Sequence, residues 1–189
     1  MKKLILPLVV AGMCALPSLS HAATNPYVSV SGGLGFLGNS TFDGHADAIE
    51  YKTGYLVNGA VGLKSEPFRL EAEIGYHRNT VDKVSNDQNV SIWSFMANGY
   101  LDYDMKDEGI SPFIMAGLGL ADVSHNFPGG NDNSSVFAWQ AGAGIGIKAS
   151  DKVTFDVSYR YFSPADATLD GHKVSFGSHN IIAGVRMDF

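Results

Sequence analysis

Cysteine occurs once in the 189 residues, at position 14, inside an apolar leader. Beyond that leader the chain has no thiol. This excludes a disulfide framework, thiolate catalysis and a cysteine-ligated metal. Basic residues are also scarce, 13 against 19 acidic ones, and Lys2 and Lys3 belong to the leader. So acidic a balance argues against a nucleic-acid partner. The chain also lacks an uninterrupted apolar run of the ~20 residues that a spanning helix needs.

The leader itself is informative. Met1-Lys2-Lys3 is basic, Leu4 to Leu16 is apolar, and Ser20-His21-Ala22 ends on small residues. This pattern predicts a secretory signal peptide over residues 1–22, cleaved after Ala22, and a mature domain over 23–189. Met13 precedes Cys14 where a lipoprotein signal needs a small residue. An exported chain without disulfides has to close its fold by other means.

The far end shows how. From Asn180 to Phe189 every second side chain is apolar: Ile181, Ala183, Val185, Met187 and Phe189. Side chains on a strand alternate between faces, so these five share one side. Period-two runs of this kind recur at about 26–37, 51–64, 68–78, 90–104, 112–122, 135–148 and 152–162, with the last at 176–189. Long polar connections (38–50, 79–89, 123–134, 163–175) alternate with short ones (65–67, 105–111, 149–151).

One face of these runs carries no charge. The other holds Tyr27, Ser29, Ser31, Lys52, Asn58, Arg69, Glu71, Glu73, Ser94, Asn98, Asp102, Gln140, Thr154, Asp156, Ser158, Arg160, Arg186 and Asp188. In the fifth run, either Phe113 and Met115 or Ile114 and Ala116 could face outward. A soluble barrel with an apolar pocket, as in lipocalins, would show the same segregation with the faces reversed. Three features choose the membrane version. Glycines such as Gly33, Gly62, Gly117 and Gly144 share the charged face, as suits a narrow side-chain-filled lumen. Aromatics gather near run ends: Tyr76, Trp93, Phe137, Tyr159 and Tyr161 at one rim, Phe68, Tyr103 and Phe189 at the other. The connections alternate as long external loops and short periplasmic turns do. The expected fold is an all-β, eight-stranded antiparallel transmembrane β-barrel, an up-and-down meander with four long external loops and three short periplasmic turns.

The stretches Pro112-Phe113-Ile114-Met115-Ala116-Gly117-Leu118-Gly119, Phe137 to Gly144, Tyr159-Arg160-Tyr161 and Gly184 to Phe189 carry a family resemblance. The mature chain resembles the outer-membrane β-barrel family of OmpA-like and opacity-type surface proteins. That resemblance implies a bacterial outer-membrane location. It also implies that Gly184, Met187 and Phe189 form the terminal signal read by the barrel-assembly machinery, with Ile182 departing from the family pattern.

Arg69, Glu71, Glu73, Asp156, Arg160, Arg186 and Asp188 are expected to form a lumen ion-pair network, since unpaired buried charges cost several kcal/mol. The expected role is structural or surface-interacting, with a polar plugged interior and no cofactor. A narrow pore for small solutes is the alternative, and a lipid A-modifying enzyme a third reading. Two Ser-His-Asn triplets occur, Ser124-His125-Asn126 and Ser178-His179-Asn180. Neighbours on a strand point to opposite faces, so Ser178 cannot serve His179 within its strand, no serine lies two positions after either histidine, and no enzyme is expected. The mature histidines His45, His77, His125, His172 and His179 all fall at the external side. Asp43, Asp47, Asp122, Asp132, Asp166 and Asp170 are expected there too. A weak divalent-cation site or a pH-responsive rim is one reading; chance placement in polar loops is the other. Pro128 to Asn133 reads as a loop tip. Expected partners are outer-membrane lipid and lipopolysaccharide, the assembly machinery, and a host or matrix ligand at the loops.

Overall fold

The computed structural model describes residues 24–37, 41–42, 53–80, 89–103, 105, 109–127, 130–164, 167–169, 172–175 and 177–189. The expected signal peptide lies outside them. Eight long strands form the wall: β1 (Asn25–Leu37), β2 (Gly54–Ser65), β3 (Phe68–Thr80), β4 (Asn89–Asp102), β5 (Ile110–Phe127), β6 (Gly130–Lys148), β7 (Val153–Pro164) and β8 (Ser178–Asp188). Every neighbouring pair is antiparallel and consecutive in sequence. The first strand closes the ring by pairing with the last, Val30 opposite Val185 and Tyr27 opposite Asp188. Closure removes the edges that an open sheet would expose.

The wall sorts side chains as the alternation predicts. Val30, Leu34, Val57, Ile74, Phe95, Ile114, Leu118, Val157 and Ile181 are exposed on the outside. Apolar groups standing in the open over a whole closed surface suit a hydrocarbon solvent. In β5, Phe113 and Met115 point inward and Ile114 outward, which settles the choice left open by sequence. Among the described residues, formal charge reaches the outer wall only at its external end, at Arg78 and Asp122. At the periplasmic end, Ser65 pairs directly with Phe68, and Asp102 donates its backbone N–H to the Pro67 carbonyl at 2.8 Å. Gly109, with φ of 66°, supplies the left-handed residue that the β4–β5 turn needs.

The external connections depart from the sequence reading in two ways. Residues 123–127 and 130–134, expected in a long loop, are strand. Strands β5 and β6 continue through them, with Asn126 opposite Asn131 and Phe127 opposite Gly130. Gly130 to Asn133, read from sequence as loop tip, is therefore strand, and His125 lies on a strand opposite Asp132 and Val90. The first and fourth connections also meet. Thr41–Phe42 pairs with His172–Ser175, which pairs with Ala167–Leu169, in a three-stranded sheet separate from the barrel.

Candidate functional site

The inward face is the part of the molecule where chemistry is concentrated, and it divides into three levels. At the periplasmic level, Arg69 grips Asp102 with two hydrogen bonds, Nε to Oδ2 at 2.6 Å and Nη2 to Oδ1 at 2.9 Å. Adjacent strands place them: Arg69 sits opposite Tyr100 in register, one inward step from Asp102. The guanidinium also lies over the rings of Tyr100 at 4.2 Å and Phe113 at 5.1 Å. Arg186 reaches Asp156 at 3.5 Å. Gly62 faces the Tyr27 ring and Gly144 the Phe113 ring, so both large side chains lie against bare backbone.

The middle level is a connected polar net. Glu71 accepts hydrogen bonds from Tyr27 Oη at 3.0 Å, Tyr100 Oη at 2.9 Å and Asn98 Nδ2 at 3.3 Å. Glu73 accepts from Arg160 Nη1 at 2.7 Å and from Gln140 Nε2 at 3.2 Å. Gln140 donates in turn to Asn98 Oδ1 at 2.7 Å, which ties the two carboxylates into one system. Each of these residues is buried. Carboxylates carry several acceptor sites, so neutral tyrosine and amide donors can hold Glu71 where no cation reaches it.

The external level holds an apolar cluster beside the buried polar side chains of Ser94, Ser178 and Asn180, and the sequence reading did not anticipate that cluster. Ile92, Met96, Ala121, Ala138 and Phe162 form a buried cluster inside the barrel, with Leu56 also fully buried on the inner face. His77 stacks on Phe162 with ring centroids 5.2 Å apart. These inner positions alternate with equally apolar outer ones, so no period-two contrast marks them. Below this cluster, between the polar levels, an interior cavity measures about 30 Å³, roughly the volume of one water.

The seven charged residues predicted for the lumen all lie on the inner face, but they are not one chain of ion pairs. Arg160 pairs with Glu73 and Arg186 with Asp156, while Arg69 takes Asp102. Among the described residues Glu71 meets no cation at ion-pair distance. Asp188 Oδ1 is buried without a hydrogen-bond partner. Gly184, Met187 and Phe189 sit on closing strand β8 or directly after it, and Phe189 donates its backbone N–H to Pro26 at 3.0 Å.

Ser178 is buried inside and His179 exposed outside, as alternation requires. His179 Nδ1 is hydrogen-bonded to Tyr159 Oη, and its ring lies 5.1 Å from that of Tyr161. His77 faces the lumen, so it and His179 stand on opposite sides of the wall and cannot share an ion. The side chains of His45, His125 and His172 lie outside the described residues, as do those of Asp43, Asp47, Asp132, Asp166 and Asp170.

A closed eight-stranded wall with a greasy exterior and a charged interior is the architecture of an outer-membrane barrel. The outer membrane protein beta-barrel domain family matches residues 6–189. The chain belongs to that family. Outer membrane protein PagN of Salmonella typhimurium is 27% identical over 214 residues, covering 93% of this chain and 87% of PagN. Among solved structures, Neisserial surface protein A superposes with a TM-score of 0.68 at 18% identity, over 88% of this chain and 99% of that one. Ail, the attachment invasion locus protein of Yersinia pestis, was solved in complex with the heparin analogue sucrose octasulfate. It superposes with a TM-score of 0.51 at 19% identity, over 86% of this chain and 99% of Ail. The protein is an integral barrel of the bacterial outer membrane.

Proposed function

We propose that the barrel is a sealed anchor and that its external end is the working surface, where it engages a ligand outside the cell. The carrying observation is the inner face: a continuous polar net roofed by Ile92, Met96 and Phe162, with an interior cavity of only about 30 Å³. A solute would have to displace both the net and the apolar roof. The pairing of β5 with β6 runs on to Phe127 and Gly130, beyond the last β4 pairing, Val90 with His125. Bound to this reading are cleavage after Ala22, recognition of Gly184, Met187 and Phe189 by the assembly machinery, and a wall wetted by lipid and lipopolysaccharide.

The ligand is constrained by charge. The connections 38–50, 79–89, 123–134 and 163–175 hold eight acidic residues and two lysines. A sulfated polyanion of the kind bound to Ail is therefore disfavoured here, and a ligand with basic groups is favoured. Catalysis is not part of this reading: His179 has tyrosines as its neighbours on the outer wall, where a hydrolase would need a nucleophile. The test is conductance in planar bilayers. The refolded protein is expected to give no steps above the lipid baseline; reproducible unitary steps would overturn the sealed interior. Binding of heparin to intact cells expressing the protein, compared with binding of a polylysine, tests the ligand class.

A further inference from the structure

We propose that the open side of strand β6, at the external end of the barrel, takes up an extended basic peptide as an added strand. The inference rests on the external working surface proposed above and names the kind of partner it takes. The pairing of β6 with β7 ends at Ala138 opposite Pro164, whereas its pairing with β5 runs on to Gly130 opposite Phe127. Among the described residues, 130–137 are therefore paired on one side only. At about 3.4 Å per residue they offer about 27 Å of strand edge.

The register fixes which backbone groups face the open side. Lys148 donates its N–H to Gly109 on the β5 side at 2.8 Å, and Ala149 donates to Val153 on the β7 side at 2.9 Å. Both pairings then run to their ends without a slip. Successive residues of a strand aim their backbone groups to opposite sides. The even-numbered residues of β6 therefore bond β5, and the odd-numbered ones face β7. Beyond Ala138, Asn131, Asn133, Ser135 and Phe137 present N–H and C=O to the open side. An unmatched backbone row of this kind is a template for another strand.

The chain's own continuation is engaged elsewhere. β7 ends at Pro164, and Ala167–Leu169 pairs with His172–Ser175 in the three-stranded sheet separate from the barrel. Charge selects the occupant. The four external connections hold eight acidic residues and two lysines, and Asp132 belongs to the edge strand itself. A second copy of the chain would bring the same acidic balance and is disfavoured. A peptide with lysine or arginine at alternate positions fits, because its backbone completes the ladder while its cations complement the charge of that end.

The experiment is calorimetric titration of the detergent-refolded protein with a synthetic peptide of four Lys-Thr repeats. The same peptide N-methylated throughout keeps the charge and has no N–H to donate. One saturable site per barrel is expected for the first peptide, with affinity about tenfold or more weaker for the second. Ser135→Pro deletes an N–H on the open side and leaves the β5 ladder whole, as proline on an edge strand can. It should refold and weaken binding of the first peptide by a similar factor; Asn133→Pro is read if it does not refold. Equal binding of the two peptides overturns strand addition but leaves a basic ligand standing. Absence of saturable binding by either peptide overturns the basic-ligand reading along with it. Undiminished affinity in the proline variants overturns the proposed edge, and dimers that Ser135→Pro dissolves in sedimentation would make a second copy the occupant and overturn the peptide.

Discussion

Arg160 and Glu73 meet inside the barrel, Nη1 to Oε2 at 2.7 Å, from strands β7 and β3, which share no edge. Both side chains are buried, so the bond spans the lumen and ties opposite walls together. Removing one partner leaves the other as an uncompensated buried charge. Glu73→Gln should cost about 3–5 kcal/mol of stability, measured as the urea midpoint of the detergent-refolded barrel. The pair Glu73→Leu with Arg160→Met should cost less than Glu73→Gln alone. A single-variant cost under about 1 kcal/mol would mean that water screens the pair.

Glu71 rests on a different support, since its donors are neutral. Tyr100→Phe leaves the ring over Arg69 and deletes one hydrogen bond to a carboxylate. It should cost about 1.5–3 kcal/mol in the same unfolding measurement. An unchanged midpoint would show that Tyr27 and Asn98 hold Glu71 without it.

Much of this wall was legible in the sequence because the two faces meet different solvents. Arg69, Glu71 and Glu73 alternate with Leu70, Ala72 and Ile74, so strand, period and facing follow together. Where that contrast fails, so does the reading. The stretch from Ser124 to Ser135 shows no period-two contrast of apolar against polar, and its strand character appears only in the pairing of Ser124 to Phe127 with Gly130 to Asn133. Ile92, Met96 and Phe162 alternate with Trp93, Phe95 and Tyr161, apolar against apolar, which hid the roof of the lumen. The partners of the charges depend on closure of the ring. Nothing local in the sequence joins Glu73 to Arg160, or Glu71 to Tyr27.

Two glycines separate space from backbone freedom. A Cβ on Gly62 would lie 2.5 Å from Tyr27 Oη, whereas one on Gly59 meets nothing within 4 Å. Gly62→Ala should therefore displace Tyr27 and weaken its bond to Glu71, a cost of about 1–3 kcal/mol for an overpacked interior. Gly59→Ala should be neutral or slightly stabilising, because a strand glycine gains from losing unfolded-state freedom. Equal effects at both positions would remove the packing explanation.

The outer wall gives a depth-dependent prediction. Val157 lies in the middle of β7, while Tyr103 stands just past the end of β4 at the periplasmic rim. Val157→Arg should cost about 2–4 kcal/mol in bilayers, and Tyr103→Arg about 0–1, because hydrocarbon rejects charge most strongly at its centre. On a water-facing wall both changes would be nearly free.

Trp93 and Trp139 provide the most direct reading of that solvent. They are the chain's two tryptophans, and both point outward, 45% and 41% exposed. Trp93 packs against Tyr76 with centroids 5.0 Å apart, and Trp139 against Tyr161 at 5.4 Å. Both therefore belong to the aromatic belt near the external rim, where amphipathic rings settle at the head-group level. In vesicles, lipids brominated near the head group should quench their emission more than lipids brominated near the chain ends, and aqueous acrylamide should quench weakly. A water-soluble barrel of the lipocalin kind reverses every part of this, since its tryptophans would respond to acrylamide and ignore the lipid. Strong quenching by acrylamide alone would place water against the face carrying Leu34, Ile114 and Val157, and the transmembrane orientation of the wall would have to be abandoned.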